Sequence, residues 1–342
     1  MRWLRRRLLS VLGHEQRGQT DTGRTERGAT AVMVAVLMVP LIGFLAISVD
    51  VGALYAERAQ LQNGADAAAL AVAEDCADGT CTAAAALATA MANANANDGA
   101  AAATFAYPTS RSVTVTTTSA SMEHPFASAL SVLLDGSDTL TTVEARATAT
   151  WGAPKSGPAV LPLALSFCEF EDFGSLNDSV GITIRYDENR SCSKSGPTIP
   201  GGFGWLQQQP GTCQVQVTLS NLMADTIDNR PGNSAPTDCT ATLGAIENTT
   251  ILIPVFDSST GSGVNGKFHI YAFAAFHITG WKFAGNGVGG NLVNVDPSIT
   301  CGSCNAGNAR FIQGYFEKWV SVSDAFELGG PELNGYNVKL TN

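Results

Sequence analysis

A 21-residue run without a single charge, Ala29 to Val49, lies between Arg27 and Asp50 and limits what this chain can be. As a helix it is about 32 Å long at about 1.5 Å per residue, enough to cross a hydrocarbon core of about 30 Å. Eleven of its residues are Val, Leu, Ile or Phe, each favouring insertion by roughly 0.3–0.6 kcal/mol. Pro40 and Gly43 lie inside it, and membrane helices accommodate both. The run predicts a transmembrane helix over 29–49, with 1–28 as a basic cytoplasmic segment and lipid as the first partner.

The charges set the expected orientation. Residues 1–28 hold seven Arg against three acids, a net of +4, so the chain total of −10 leaves −14 for residues 29–342. Basic residues beside a membrane helix stay on the cytoplasmic side, which puts the C-terminal region beyond the membrane, in a periplasm or at the cell exterior. All eight Cys lie beyond residue 75, as expected of thiols that oxidise after export. A cleaved secretory signal is the rival reading. Its apolar region should span about 7–15 residues and end at an A-x-A-like site, whereas here Asp50 opens a new helical pattern.

From Asp50 to Glu74 there is no Pro, and Leu54, Leu61, Ala65, Ala68, Ala69 and Val72 recur at helical steps. The membrane helix is expected to continue outward as a stalk with a small-residue face. Such faces let backbones approach closely, within the chain or in a homo- or hetero-oligomer. A second Ala-rich helix is expected from Thr82 to about Ala96, ending at Asn97-Asp98-Gly99. The period then changes to two. Ser112–Ser119 and Thr139–Thr150 read as strands around a short helix at Pro125–Leu134, giving an α+β module over 50–150.

Residues 151–158 hold two Pro and two Gly and read as a linker. Beyond it, residues 159–342 predict a β-rich, Cys-containing domain with strands at 181–186, 214–219, 250–256, 267–279, 311–322 and 335–340. Eight Cys allow 105 pairings. Proximity along the chain favours Cys76–Cys81, Cys168–Cys192 and Cys213–Cys239, leaving Cys301–Cys304.

Around the apolar run the chain resembles the TadE/TadG-like proteins of the tight-adherence (Flp) pilus apparatus. The matching residues are Arg27-Gly28-Ala29, Val49-Asp50-Val51-Gly52, Tyr55, Gln60-Leu61-Gln62-Asn63 and Ala65-Asp66-Ala67-Ala68-Ala69-Leu70. The resemblance covers about residues 27–73 and implies a minor pilin-like or accessory component of pilus assembly, with pilus-assembly proteins as partners. It also offers a processing site, cleavage after Gly28 to expose Ala29. Processed members carry Glu five residues after that glycine, and this chain has Met33. A carboxylate in lipid seeks a partner such as a neighbouring subunit's N-terminal amine, and Met33 cannot supply one. An anchored, non-polymerising TadG-like protein is the expectation.

Some larger relatives carry a von Willebrand factor A domain, which makes Asp257-Ser258-Ser259-Thr260-Gly261 the candidate for a metal-dependent adhesion site. A D-x-S-x-S site needs Ser at 261 and a helix after it, and neither is present. Cys301-Gly302-Ser303-Cys304 has redox or half-zinc spacing but leads into loop residues, so oxidised structural Cys is expected. His269 and His277 are eight apart in one apparent strand, some 26 Å at about 3.3 Å per residue, too far to share a metal. Glu169, Glu171 and Asp172 read as a solvated acidic surface. Gly285–Gly290 lacks the Lys-Ser/Thr ending of a P-loop. A net of −14 argues against nucleic acid. No nucleophile–base pair stands out, so the expectation is a protein with no enzyme activity, no metal and no cofactor. The alternative is an anchored surface adhesin or ligand-binding protein, whose site Phe203, Trp205, Trp281 and Phe283 would line if exposed; core packing is the role expected of these aromatics.

Overall fold

The computed structural model describes residues 23–120, 142–173, 180–186, 189–194, 198–223, 225–284, 292–301 and 307–341. The expected helix at 125–134, the glycine run at 285–290 and Cys304 lie outside these residues. The architecture is mixed α+β. A long apolar helix comes first, and a β-rich region follows.

Helix α1, Gly23–Ala77, is one 55-residue element that runs through Pro40. Its first part belongs to a unit that ends at Ala56. There Val32, Val36, Leu37, Leu41, Ile42, Phe44, Leu45 and Ile47 are all exposed. Water does not tolerate so continuous an apolar sleeve, and lipid does.

Residues 57–120 and 142–342 belong to a second unit. Here α1 changes character: Leu61, Ala65, Ala68, Ala69, Val72 and Ala73 are fully buried, at three- and four-residue steps that define one stripe. Helix α2, Ala84–Asn95, buries Ala84, Ala88 and Ala92 at four-residue steps. At Gly64 an added Cβ would lie 3.3 Å from the Ala92 Cα, so glycine permits the two helices to approach backbone to backbone.

The strands, in chain order, begin with β1 (Ala102–Thr109), β2 (Ser112–Thr118), β3 (Glu144–Gly152), β4 (Pro154–Ala159), β5 (Leu163–Ser166) and, after the short helix α3 (Phe167–Phe173), β6 (Ile182–Arg185). Next come β7 (Ser191–Ser193), β8 (Thr198–Pro200), β9 (Phe203–Trp205), β10 (Val215–Thr218), β11 (Ile227–Asp228) and, after helix α4 (Thr240–Ile246), β12 (Thr249–Thr260). The rest are β13 (Lys267–Phe283), β14 (Leu292–Asn294), β15 (Phe311–Phe316), β16 (Trp319–Val322), β17 (Glu327–Leu328) and β18 (Gly335–Thr341).

Among the described residues, one sheet runs β1-β2-β3-β18-β16. Thr and Val alternate along β2, and Val113 and Val115 are fully buried. Together with Ala147, Ala149, Trp151 and Val338 they form the surface on which the alanines of α1 and α2 pack.

A larger sheet runs β6-β15-β13-β12-β5-β9, with β11 and β14 also paired to β13. Its central strands are apolar on both sides. Ile253, Val255, Ala274 and Phe276 enter one core, while Leu252, Phe256, Phe273 and Ala275 enter another. Continuous hydrophobic runs such as Ile251–Phe256 are what a sheet covered on both faces requires.

Two expectations need correction. Residues 151–158 are not a linker: Trp151 and Gly152 end β3, and Pro154–Ala159 is the middle strand of a sheet ordered β10-β4-β17. Gly157 is there for contact, since a Cβ would fall 2.2 Å from the Phe326 ring. Residues 311–322 form two strands in different sheets, β15 in the larger and β16 in the five-stranded one. Phe203, Trp205, Trp281 and Phe283 are core residues, the role expected of them: each is 5% exposed or less, and Trp205 packs edge-on to Phe283 with ring centroids 5.0 Å apart.

Candidate functional site

The residues that carried the resemblance acquire individual structural jobs where α1 meets the five-stranded sheet. Gln60 accepts a hydrogen bond from the Asn97 backbone N–H (2.9 Å), which fixes the loop after α2. Leu61 is buried with Ala92, Ala101 and Ala145, and its carbonyl accepts from the Thr117 hydroxyl at 2.8 Å. Gln62 donates to Asp66 (2.8 Å) and to the Arg146 carbonyl (3.2 Å). Ala65, Ala68 and Ala69 then lie flat on the sheet. Bulkier side chains would lift the helix off it, which explains the run of alanine.

The end of the helix is stapled. Cys76 and Cys81 form a disulfide with Cα atoms 4.2 Å apart. Just before the bridge, Asp75 organises the turn: its carboxylate accepts from the Thr80 hydroxyl (2.5 Å) and from the Ala83 backbone N–H (3.1 Å). The second of these satisfies the Ala83 N–H at the start of α2, one of the donors that a helix N-terminus leaves without an intrahelical acceptor.

Two further disulfides join Cys168 to Cys192 and Cys213 to Cys239, with Cα separations of 5.5 and 4.7 Å. Cys301 is also disulfide-bonded, and its expected partner Cys304 lies outside the described residues. Gly28 is an exposed residue of α1, in the same apolar helix as Met33.

The acidic cluster is not simply solvated. Glu169 is fully buried, its Oε1 accepting from the Gly202 N–H at 2.8 Å and its Oε2 lying 3.2 Å from Arg190. Arg190 also reaches Asp172 at 2.8 Å and lies over the Phe173 ring. The Cys168–Cys192 bridge brings the two segments together, so a residue read as surface becomes an internal anchor. No local pattern in the sequence marks this, because Arg190 is 21 residues from Glu169.

Both histidines of β13 are held by neighbours. His269 is 4% exposed, with Nδ1 2.6 Å from Asp257 and Nε2 3.1 Å from the Ser220 carbonyl. Asp257, the first residue of the candidate D-x-S-x-S stretch, is thereby engaged inside β12. Register shifts displace Asp257 and Tyr271 from the β12–β13 ladder. His277 stacks on Tyr315 and places Nδ1 2.9 Å from the Thr250 hydroxyl and 3.5 Å from Glu317. Hydroxyl and carboxylate thus meet the same ring nitrogen. A nucleophile–base–acid relay needs them on opposite nitrogens. Among the described residues no three His, Cys, Asp or Glu side chains gather as a metal site.

Searches of curated proteins and of solved structures return no match to the chain. The helix carries the evidence instead. Among the described residues it is the one helix long and apolar enough to cross a membrane, and its span, its alanine stripe and its Gln-Leu-Gln contacts form one continuous segment. That segment supports single-pass membrane anchoring and a pilus-related role, because residues 28–75 match the family of putative Flp pilus-assembly TadE/G-like proteins.

Proposed function

We propose that this protein is a membrane-anchored, non-polymerising accessory component of a Flp-type pilus-assembly system, TadG-like in role and without enzyme activity. The observation that carries the reading is the family match over 28–75 combined with Met33 where processed members have Glu. With no carboxylate there, cleavage between Gly28 and Ala29 and extraction into a filament lose their usual basis. The N-terminus lies in the cytoplasm and the Cys-bearing region beyond the membrane, in keeping with the +4 and −14 charge split. The alanine stripe is occupied by the chain's own sheet, so contacts with pilus-assembly proteins fall to other surfaces.

Deleting the gene and restoring it tests this reading. Piliation should fall on deletion and return with the full chain. The protein should be recovered with assembly components in the membrane fraction and be missing from sheared filaments. Recovery as a stoichiometric filament subunit would overturn it.

A further inference from the structure

We infer that the free edge of β1 takes up an extended, uncharged segment of a partner protein as an added antiparallel strand. This goes beyond the pilus reading and does not depend on it. β1 ends the five-stranded sheet, and β2 is its one strand neighbour among the described residues.

The next ladder fixes which backbone groups face outward. The Ser119 N–H donates to the Val143 carbonyl (2.9 Å) and the Trp151 N–H to the Arg111 carbonyl (3.1 Å), so the odd-numbered residues of β2 bond to β3. Its even-numbered residues, Thr114, Thr116 and Thr118, therefore bond to β1 at Ala106, Thr104 and Ala102. That directs the N–H and C=O groups of Ala103 and Phe105 away from β2, along the free edge. Such a row is a template for another strand.

The edge is unguarded. Proteins commonly protect free strands with charged side chains. Here Asp98 is the one charged residue between Thr82 and Ser110. Pro108 and the register shift after Ala106 blunt only the end of the strand. Ala103 faces the core under α2, and Phe105 follows on the same side by strand alternation. Phe105 and Tyr107 are 37% and 43% exposed, with their rings edge-to-face at 5.6 Å. On that side of the sheet α2 turns Leu87 and Met91 to the core and leaves Ala86, Ala90 and Ala94 exposed at four-residue steps.

These features define the occupant. An added strand bonds to the backbone of Ala103 and Phe105, and its apolar side chains at alternate positions pack on Phe105 and Tyr107. A charged side chain there would lose water and find no counter-ion on β1. A second copy of the chain fits poorly. β1 and α1 run the same way, since Ala101 shares a core with Leu61 and the Tyr107 hydroxyl lies 3.7 Å from Cys76 Sγ. An antiparallel pair of β1 strands from two copies would point their α1 helices in opposite directions, which does not suit chains inserted in one membrane by that helix.

Fluorescence anisotropy on the full chain in detergent micelles tests this, using a labelled, end-capped peptide of sequence Thr-Val-Thr-Val-Thr-Val-Thr. It should bind with a Kd of about 1 mM or tighter. The fully N-methylated peptide, which cannot donate to a strand, and a peptide with Lys in place of each Val should each bind at least ten-fold more weakly. Ala103→Pro removes an outward N–H and spares the bonds to β2, so it should weaken binding at least ten-fold at an unchanged melting temperature. Phe105→Ala should weaken it about three- to ten-fold. The peptide comparisons need no variant and stand if Ala103→Pro fails to fold. No binding at about 1 mM, equal binding of the N-methylated peptide, or undiminished binding by folded Ala103→Pro would overturn the proposal. So would light scattering that shows a dimer which the peptide dissociates, since the edge would then belong to a second copy.

Discussion

Val338 of β18 faces Trp151 of β3 across an antiparallel ladder, so the last strand of the chain completes the sheet on which the alanine helices lie. Both side chains share the core that buries Ala65, Ala68 and Ala69. Val338→Asp therefore places an unpaired carboxylate in that core. It should destabilise the second unit by several kcal/mol and expose α1 beyond Glu57 to protease. Thermal denaturation followed by limited proteolysis checks this. An unchanged melting temperature would show that β18 is dispensable.

The alanine stripe makes a second prediction. Ala68 is fully buried, and Ala68→Glu should lower the melting temperature sharply, by the same burial of an unpaired charge. Gly64→Ala is the graded counterpart. Its Cβ at 3.3 Å from the Ala92 Cα obliges α2 to shift by a few tenths of an ångström, with an expected cost of about 1 kcal/mol, partly offset by better helix propensity. Calorimetric melting of the two variants should rank them in that order.

Glu169 and Cys168–Cys192 act on the same corner. Glu169→Ala leaves the Gly202 N–H and one side of Arg190 without their acceptor, which should cost about 2–3 kcal/mol. The paired Cys168→Ala, Cys192→Ala variant should lose about 2–4 kcal/mol. Because both interactions hold α3 against the β7–β8 segment, the triple variant should lose less than the sum. A denaturant double-mutant cycle reads that coupling, and strict additivity would contradict a shared role.

Lys194 gives a pH dependence. Its ammonium lies 4.4 Å over the Phe167 ring, and burial lowers its pKa from the usual 10.5 to about 8, with Asp257 and Glu171 opposing the shift. Between pH 8 and 10.5 the unfolded chain holds a proton that the native state has released, so stability rises with pH across that window. The penalty is fully present below pH 8. The melting temperature of the wild type relative to Lys194→Met should therefore climb from pH 7 to pH 10. A flat difference would mean that Lys194 is not desolvated in the native state.

How legible this structure was in the sequence depended on how local the cause was. The uncharged run of α1, the alanine periodicity and the Thr/Val alternation of β2 are local, and each is written in the stretch of chain that forms the element. β1 has no such signal: Ala102–Thr109 is almost wholly exposed, carries Pro108 and pairs on one side with β2. Pro154, Gly157 and Pro158 signal flexibility by composition, yet Gly157 serves the close approach of Phe326, 169 positions away. The acidic cluster misleads for the same reason, its buried member being fixed by Arg190.

The most direct test of the central claim is the mass of the N-terminal region of the protein purified from membranes. A peptide spanning an intact Gly28–Ala29 bond, with the apolar helix still attached to its basic leader, is the result that permanent anchoring predicts. A mature chain starting at Ala29, or one trimmed beyond Val49, would contradict it.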